Sequence, residues 1–376
     1  MPFNLRALGR LVRVGLCVVL VHASLGTAVA ADRSTSKKRG AEPPARKASL
    51  PPRVNAQPVR KQAAPKVARA AEPRANPGKA PRPNTATQAG RLVRASFVQR
   101  PVAPPRLSIG NSIGLHLVDD PLDLRSSVAY IQDAQSGETL YEKNPDAVLP
   151  IASITKLMTA MVVLDARLPL EETIEIADAD RDTERFSSSR LAIGARLSRD
   201  HLLHLALMSS ENRAAHALGR TYPGGLAAFV EAMNDKARAI GMTDSRFADP
   251  TGLSSNNRSS ARDLARMVRV ANGYPLIRDY STSTSLVVDT GSRQMTYRTT
   301  NRLVDRPDWN ISLQKTGYIS EAGKCLVMQA TIEGRPVVLV LLDAAGTQSR
   351  FADAQRLRKW LAQRFQESGP APESRS

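Results

Sequence analysis

A break in composition at about residue 106 decides where this chain can fold. Residues 31–106 hold 13 of its 25 prolines, many Ala, Lys and Arg, and almost no large apolar side chains. Such a stretch cannot bury enough apolar surface to offset the entropy of ordering its backbone, and we read it as a disordered basic linker. The same break reinterprets the charge. A net +18 over 376 residues resembles the balance of a nucleic-acid binder. Divided along the chain, however, residues 1–30 carry three Arg and no acid, 31–106 carry 18 basic and 3 acidic side chains, and 107–376 carry 32 of each. The segment able to fold is neutral, so no nucleic-acid partner is expected.

Arg6, Arg10 and Arg13 precede an apolar run from Val14 to Val21, and Ala28-Val29-Ala30 supplies small residues for cleavage. The pattern predicts a signal peptide over 1–30 and a periplasmic destination, soluble or peripherally attached to the membrane. The apolar run is shorter than the roughly 20 residues a spanning helix needs. Bulky Leu16 before Cys17 argues against lipid attachment. Cys325 is then the single cysteine of the mature chain, so no intramolecular disulfide forms and the fold must hold by packing.

From about Leu107 the pattern becomes globular. Residues 127–133 and 138–142 read as a hairpin joined through Ala134-Gln135-Ser136-Gly137. Apolar helices are predicted over 153–165 and 198–208, with Leu202, Leu203, Leu205 and Leu207 in the core. Further helices are expected over 226–240, closed by Gly241, and over 261–271, opened by the capping box Ser260-x-x-Asp263. Residues 311–316, 324–332 and 335–342 read as strands, the last two joined by Glu333-Gly334, and a final helix covers 351–365. The sum is a mixed α/β domain over 107–366 with an antiparallel sheet, followed by a disordered tail at 367–376.

Three short motifs carry candidate chemistry in this order: Ser153-Ile154-Thr155-Lys156, Ser210-Glu211-Asn212 and Lys315-Thr316-Gly317. Each alone is weak; Ser34 and Lys37 repeat the first spacing inside the linker. Context separates them, because Ser153 opens an apolar helix, Ser210 ends another, and Lys315 lies on a strand that could reach the sheet interior. At a helix N-terminus, Ser153 meets unpaired N–H groups and a positive dipole end, which suit a nucleophile. Lys156, one turn on, can reach the Ser153 hydroxyl and take its proton if burial beside Lys315 keeps it neutral. Ser210 can relay a proton to a leaving nitrogen, and Asn212 can hydrogen-bond a substrate amide. Lys315 and Thr316 offer a cation and a hydroxyl to a carboxylate, while Gly317 lets the strand approach a ligand closely. The N–H groups of Ser153 and Tyr318 would complete an oxyanion hole. The bland readings are an N-cap for Ser153, a solvated Lys156 and an edge-strand gatekeeper for Lys315. His201 and His204 lack a third ligand and read as helix packing, so neither metal nor cofactor is expected.

These motifs resemble those of the low-molecular-mass penicillin-binding proteins, in particular their D-alanyl-D-alanine endopeptidase branch. The likeness covers roughly residues 110–365. It is carried by Leu149-Pro150-Ile151-Ala152-Ser153-Ile154-Thr155-Lys156-Leu157-Met158, Met208-Ser209-Ser210-Glu211-Asn212-Arg213-Ala214-Ala215, Asp249-Pro250-Thr251-Gly252-Leu253 and Gln314-Lys315-Thr316-Gly317-Tyr318. The resemblance implies a serine β-lactamase/transpeptidase-like fold: a five-stranded antiparallel sheet flanked by helices, beside a helical subdomain, with the site between them. It further implies an acyl-enzyme at Ser153, peptidoglycan peptide stems as substrate, and β-lactams as covalent inhibitors.

A β-lactamase is disfavoured because Glu231-Ala232-Met233-Asn234 is one residue short of the deacylating motif of class A enzymes, which leaves Glu231 as a helix-surface residue. A Ser-His-Asp hydrolase is set aside, although Gly110-Asn111-Ser112-Ile113-Gly114 has the Gly-x-Ser-x-Gly spacing at the start of the globular pattern. A non-catalytic wall-binding protein is opposed by the intact motifs. Between carboxypeptidase and endopeptidase, the short stretch after Leu342 and the Glu211 of the second motif, where carboxypeptidases more often have glycine, favour an endopeptidase. For the basic linker, adhesion to an anionic wall or membrane surface and a solvated spacer both remain open. Deleting 31–106 should leave hydrolysis intact. Weaker, salt-sensitive retention on purified sacculi would support adhesion, and retention equal to that of the intact chain would discard it.

Overall fold

The computed structural model describes residues 107–291 and 293–367. The predicted signal peptide with Cys17, the linker, and the tail beyond Glu367 lie outside these residues. In chain order the first half contains α1 (Ile109–Ser112), the hairpin β1 (Ser126–Asp133) and β2 (Thr139–Lys143), β3 (Leu149–Pro150), α2 (Thr155–Asp165), β4 (Thr173–Glu175), β5 (Arg196–Ser198), α3 (Arg199–Met208) and α4 (Asn212–Arg220). There follow α5 (Gly225–Ala239), β6 (Arg258–Ser259), α6 (Ala261–Ala271), α7 (Pro275–Thr282) and the hairpin β7 (Ser285–Asp289) and β8 (Gln294–Arg298). The last elements are β9 (Asn310–Ile319), β10 (Gly323–Ile332), β11 (Arg335–Ala344) and α8 (Ser349–Glu367).

Five strands form one antiparallel sheet in the order β2-β1-β11-β10-β9. Its central strands are apolar at nearly every position because both faces are covered, and successive side chains point to opposite sides. Val338, Val340 and Leu342 join one core together with α2, α3 and α6, whereas Val337, Leu339 and Leu341 join a second with Phe351, Leu357, Leu361 and Phe365 of α8. The β10–β11 turn places Glu333 and Gly334 at φ +47° and +75°, as a tight two-residue hairpin requires. In the helical half, Leu202, Leu203, Leu205 and Leu207 of α3 are all buried, and Ser198 caps the helix by accepting from the His201 N–H at 3.1 Å.

Several elements depart from expectation. Ser153 sits in a 3-10 turn, Ala152–Ile154, that leads into α2. Ser260 accepts from the Asp263 N–H, but the Asp263 carboxylate turns to the Asp244 N–H and the Ser245 hydroxyl, so only half of the predicted capping box forms. α4, α7 and the β7–β8 hairpin were not anticipated. β9 is the edge strand and does not enter the sheet interior. Lys315 is nevertheless buried, and α7 covers this edge: the Gln314 side-chain amide donates to the Ser281 carbonyl at 2.6 Å.

The second core depends on α8 packing against the sheet. Leu357→Ala should cost about 2–5 kcal/mol in denaturant unfolding, the range for a leucine removed from a closed core; a loss below about 1 kcal/mol would show that α8 packs loosely.

Candidate active site

Lys156 is the side chain around which the three motifs meet. It is fully buried, and its Nζ donates to the Ser153 Oγ at 2.8 Å, the Asn212 Oδ1 at 2.8 Å and the Thr251 carbonyl at 2.6 Å. Three acceptors match the three protons of an ammonium. Burial pushes its pKa from 10.5 down to about 7, against the opposing pull of Asp249 and Glu211. At neutral pH an appreciable fraction of the amine is therefore free to take a proton from the hydroxyl 2.8 Å away.

The Thr251 carbonyl is presented by a turn to which sequence reasoning assigned no role. The Asp249 carboxylate accepts from the N–H groups of Thr251 at 2.6 Å, Gly252 at 2.8 Å and Ser254 at 3.0 Å, and also from the Thr251 hydroxyl and the Asn257 amide. The Asn257 Oδ1 in turn accepts from the Ala248 N–H at 2.8 Å, which locks the turn. Pro250 and Thr251 can then point successive carbonyls at α2, one to the Thr159 hydroxyl at 2.7 Å and one to Lys156. Gly252 has φ +81°, and a Cβ there would lie 2.0 Å from the Ala152 carbonyl oxygen. Only glycine lets this turn close on the serine.

β9 approaches from the opposite side. A Cβ on Gly317 would stand 2.9 Å from the Ile151 carbonyl oxygen and 3.2 Å from the Ser153 nitrogen, so the missing side chain is what lets the strand lie against the serine turn. Lys315 donates to the Ser210 Oγ at 2.8 Å and to the Thr316 carbonyl at 3.0 Å. Ser210 adopts a left-handed φ of +60° in the break between α3 and α4. The expectation for a neutral Lys156 is burial beside Lys315. Burial is the first cause for both amines, but the repulsion bears on Lys315, which lies well below its ordinary range with Lys156 and Arg350 adding to burial.

Asn212 spans two contacts, Lys156 through its oxygen and the Ser187 hydroxyl through its amide at 3.1 Å. Thr316 shares a 2.6 Å hydroxyl contact with Thr300. Tyr318 is exposed, with the Lys324 ammonium 3.2 Å from its ring centroid. All eight predicted residues thus lie on or beside one cleft between the helical half and the sheet edge. Arg350, to which the sequence assigned no role, lies over the Phe351 ring at 4.7 Å beside a cavity of about 320 Å³ lined also by Thr299, Thr300 and Arg302, and its Nε and Nη1 are buried with no hydrogen-bond partner among the described residues. No local motif marks it.

Outside the cleft, Glu231 is exposed on α5, and His204 stacks on Tyr280 with ring centroids 4.3 Å apart. Among the described residues, no group of three or more His, Cys, Asp or Glu is placed to hold a metal ion, and no helix is long and apolar enough to cross a membrane.

A serine hydrogen-bonded to a buried lysine amine, in a turn set against the edge strand of a five-stranded antiparallel sheet, is an arrangement that suits a serine hydrolase. The chain matches the peptidase S11 family, described as D-alanyl-D-alanine carboxypeptidase, over residues 116–346. It is 52% identical to a D-alanyl-D-alanine endopeptidase of Pseudomonas aeruginosa over 64% of this chain and 78% of that protein. It is 47% identical, with the same coverage, to a D-alanyl-D-alanine endopeptidase of Escherichia coli. Penicillin-binding protein D2 of Listeria monocytogenes, solved in its cefotaxime-bound form, superposes with a TM-score of 0.58 at 29% identity over 64% of this chain and 98% of that one. The chain belongs to the S11 family of serine D-alanyl-D-alanine peptidases.

The buried amine makes stability depend on pH. Between about pH 7 and 10.5 the unfolded chain binds a proton at Lys156 that the folded chain does not, so this group's contribution to stability rises with pH across that window. Urea unfolding at pH 7 and pH 9 should show a smaller gain for Lys156→Met than for the wild type. An identical gain in both would mean that Lys156 keeps its proton when folded.

Proposed function

We propose that this protein is an endopeptidase that opens D-alanyl cross-links of peptidoglycan through an acyl-enzyme at Ser153. The observation that carries the proposal is a buried Lys156 amine, with a pKa near 7, 2.8 Å from the Ser153 hydroxyl. As the Ser153 Oγ bonds to the D-alanyl carbonyl carbon, its proton passes to Lys156. The Ser153 and Tyr318 N–H groups hold the developing oxyanion, an assignment supported by the close approach of Gly317 to the Ser153 nitrogen. The proton that Lys156 took passes through Ser210, which is bonded to Lys315, to the departing nitrogen as the C–N bond breaks, leaving amine and hydroxyl as they began, and Asn212 orients the substrate amide. Water then hydrolyses the ester, its hydroxyl going to the acyl carbon and its proton to the Ser153 oxygen. Lys315 and Thr316 face the substrate carboxylate, and the Arg350 guanidinium, which lies over the Phe351 ring beyond Thr300, offers it a positive charge. β-Lactams would acylate the same serine, and a peptidoglycan substrate supports a periplasmic location.

The endopeptidase reading rests on the relatives named for that activity; the family description keeps carboxypeptidase as the alternative. A fluorescent penicillin should label the wild type and not Ser153→Ala, with a rate that rises through about pH 7 as Lys156 loses its proton. Labelling of the variant at equal stoichiometry would remove Ser153 from the mechanism. Defined cross-linked muropeptides should be cut to monomers faster than pentapeptides lose their terminal D-alanine, and the reverse order would establish the carboxypeptidase.

A further inference from the structure

The middle residue of the second motif, Glu211, has no part in the chemistry above, yet its carboxylate is buried inside the site. It occupies the N-cap position of α4 without capping the helix through its side chain. Its Oε1 instead accepts a hydrogen bond from the Ser189 hydroxyl. The neighbouring residues grip the same segment: Asn212 donates to the Ser187 hydroxyl at 3.1 Å, and Arg213 donates to the Leu191 carbonyl at 2.6 Å. Residues 187–191 are therefore held against the motif at three points, and Glu211 is the buried one.

The groups facing Glu211 come from four elements. They are Lys156 of α2, Arg213 of α4, Ser189 of the 187–191 segment, and Tyr297 of β8, which has Arg190 4.1 Å above its ring and Arg293 nearby. Tyr297 is buried, and its phenol is pushed up to about 12, first by burial and then by Glu211, so it stays neutral. Lys156 has one other carboxylate within electrostatic range, Asp249, and Lys315 is the second buried amine of the site. The Asp249 charge is divided among three N–H groups, a hydroxyl and an amide. Burial is the largest influence on Glu211 and holds its carboxyl above its ordinary range, opposed by the Ser189 hydroxyl, Lys156 and Arg213. Of the two carboxylates that act on Lys156, Asp249 acts more strongly and Glu211 is the one with fewer hydrogen-bond donors of its own.

We propose that Glu211 is a positioning residue for acylation: its carboxylate is the fixed counter-charge that stabilises the ammonium formed when Lys156 takes the proton of Ser153. This rests on the reading of Lys156 as the base. Proton transfer from Ser153 creates a cation in a site closed to water, where an unbalanced charge is costly, and a carboxylate already held in place offsets it without reorganisation.

The test is the rate of acylation by a fluorescent penicillin from pH 5 to 9 for wild type, Glu211→Gln, Glu211→Gly and Glu211→Asp, with folding checked by circular dichroism. Glu211→Gln keeps the acceptor for Ser189 and removes the charge. Glu211→Gly is a second route to the same loss, since glycine is well tolerated at an N-cap. Both should still label at Ser153, with the acid limb displaced downward by about one pH unit and a maximal rate about tenfold lower. Glu211→Asp should keep the limb near that of the wild type. An unmoved limb in both uncharged variants, when folded, overturns the counter-charge, as does failure of both to fold, which would make Glu211 a structural residue. Absence of labelling in the wild type would sink the acyl-enzyme reading itself, so the two failures are distinguishable.

Discussion

A lysine with no access to water is the constraint from which the rest of the site follows. Removing an ammonium from solvent costs several kcal/mol unless each of its protons finds an acceptor and a counter-charge stands near. Here the acceptors come from three distant parts of the chain: Ser153 in its own turn, Asn212 at the head of α4, and the Thr251 carbonyl. Satisfying one side chain thus fixes α2, α4 and the Asp249 turn relative to one another. The incomplete compensation leaves a pKa near 7 instead of an inert cation. The same contacts that hold the cleft together leave its amine able to give up a proton near neutral pH.

The second constraint is steric. Two glycines, Gly252 and Gly317, bracket the serine from opposite sides, and at each a methyl group would collide with backbone of residues 151–153. Backbone oxygen and nitrogen cannot swing aside as the end of a long side chain can. The serine is therefore held in a slot made of main chain, which suits a nucleophile whose attack depends on alignment to a fraction of an ångström.

Much of the fold was legible in the sequence because its signals are local. The runs that became β10 and β11, the Glu333-Gly334 turn and the leucine-rich α3 declare themselves through periodicity and turn chemistry. α7 and the β7–β8 hairpin escaped because their faces are short and mostly polar, and it is packing against β9 and α3 that orders them. The cleft was legible where three motifs name it and opaque where contact alone defines it. Asp249-Pro250-Thr251-Gly252 has the composition of any turn, and only the fold shows that its carbonyls serve α2 some 90 residues earlier. Arg350 is one arginine among many until burial distinguishes it.

Ser210 carries a further implication. A residue with a Cβ held at φ +60° tolerates its conformation at a cost that glycine or asparagine would largely escape. The serine thus sits where backbone preference alone would place something else, and the hydroxyl that meets Lys315 is kept against that preference. If Ser210 relays the proton as proposed, a lineage that no longer needed the reaction would let this position drift early, and the protein would grow sturdier as it became idle.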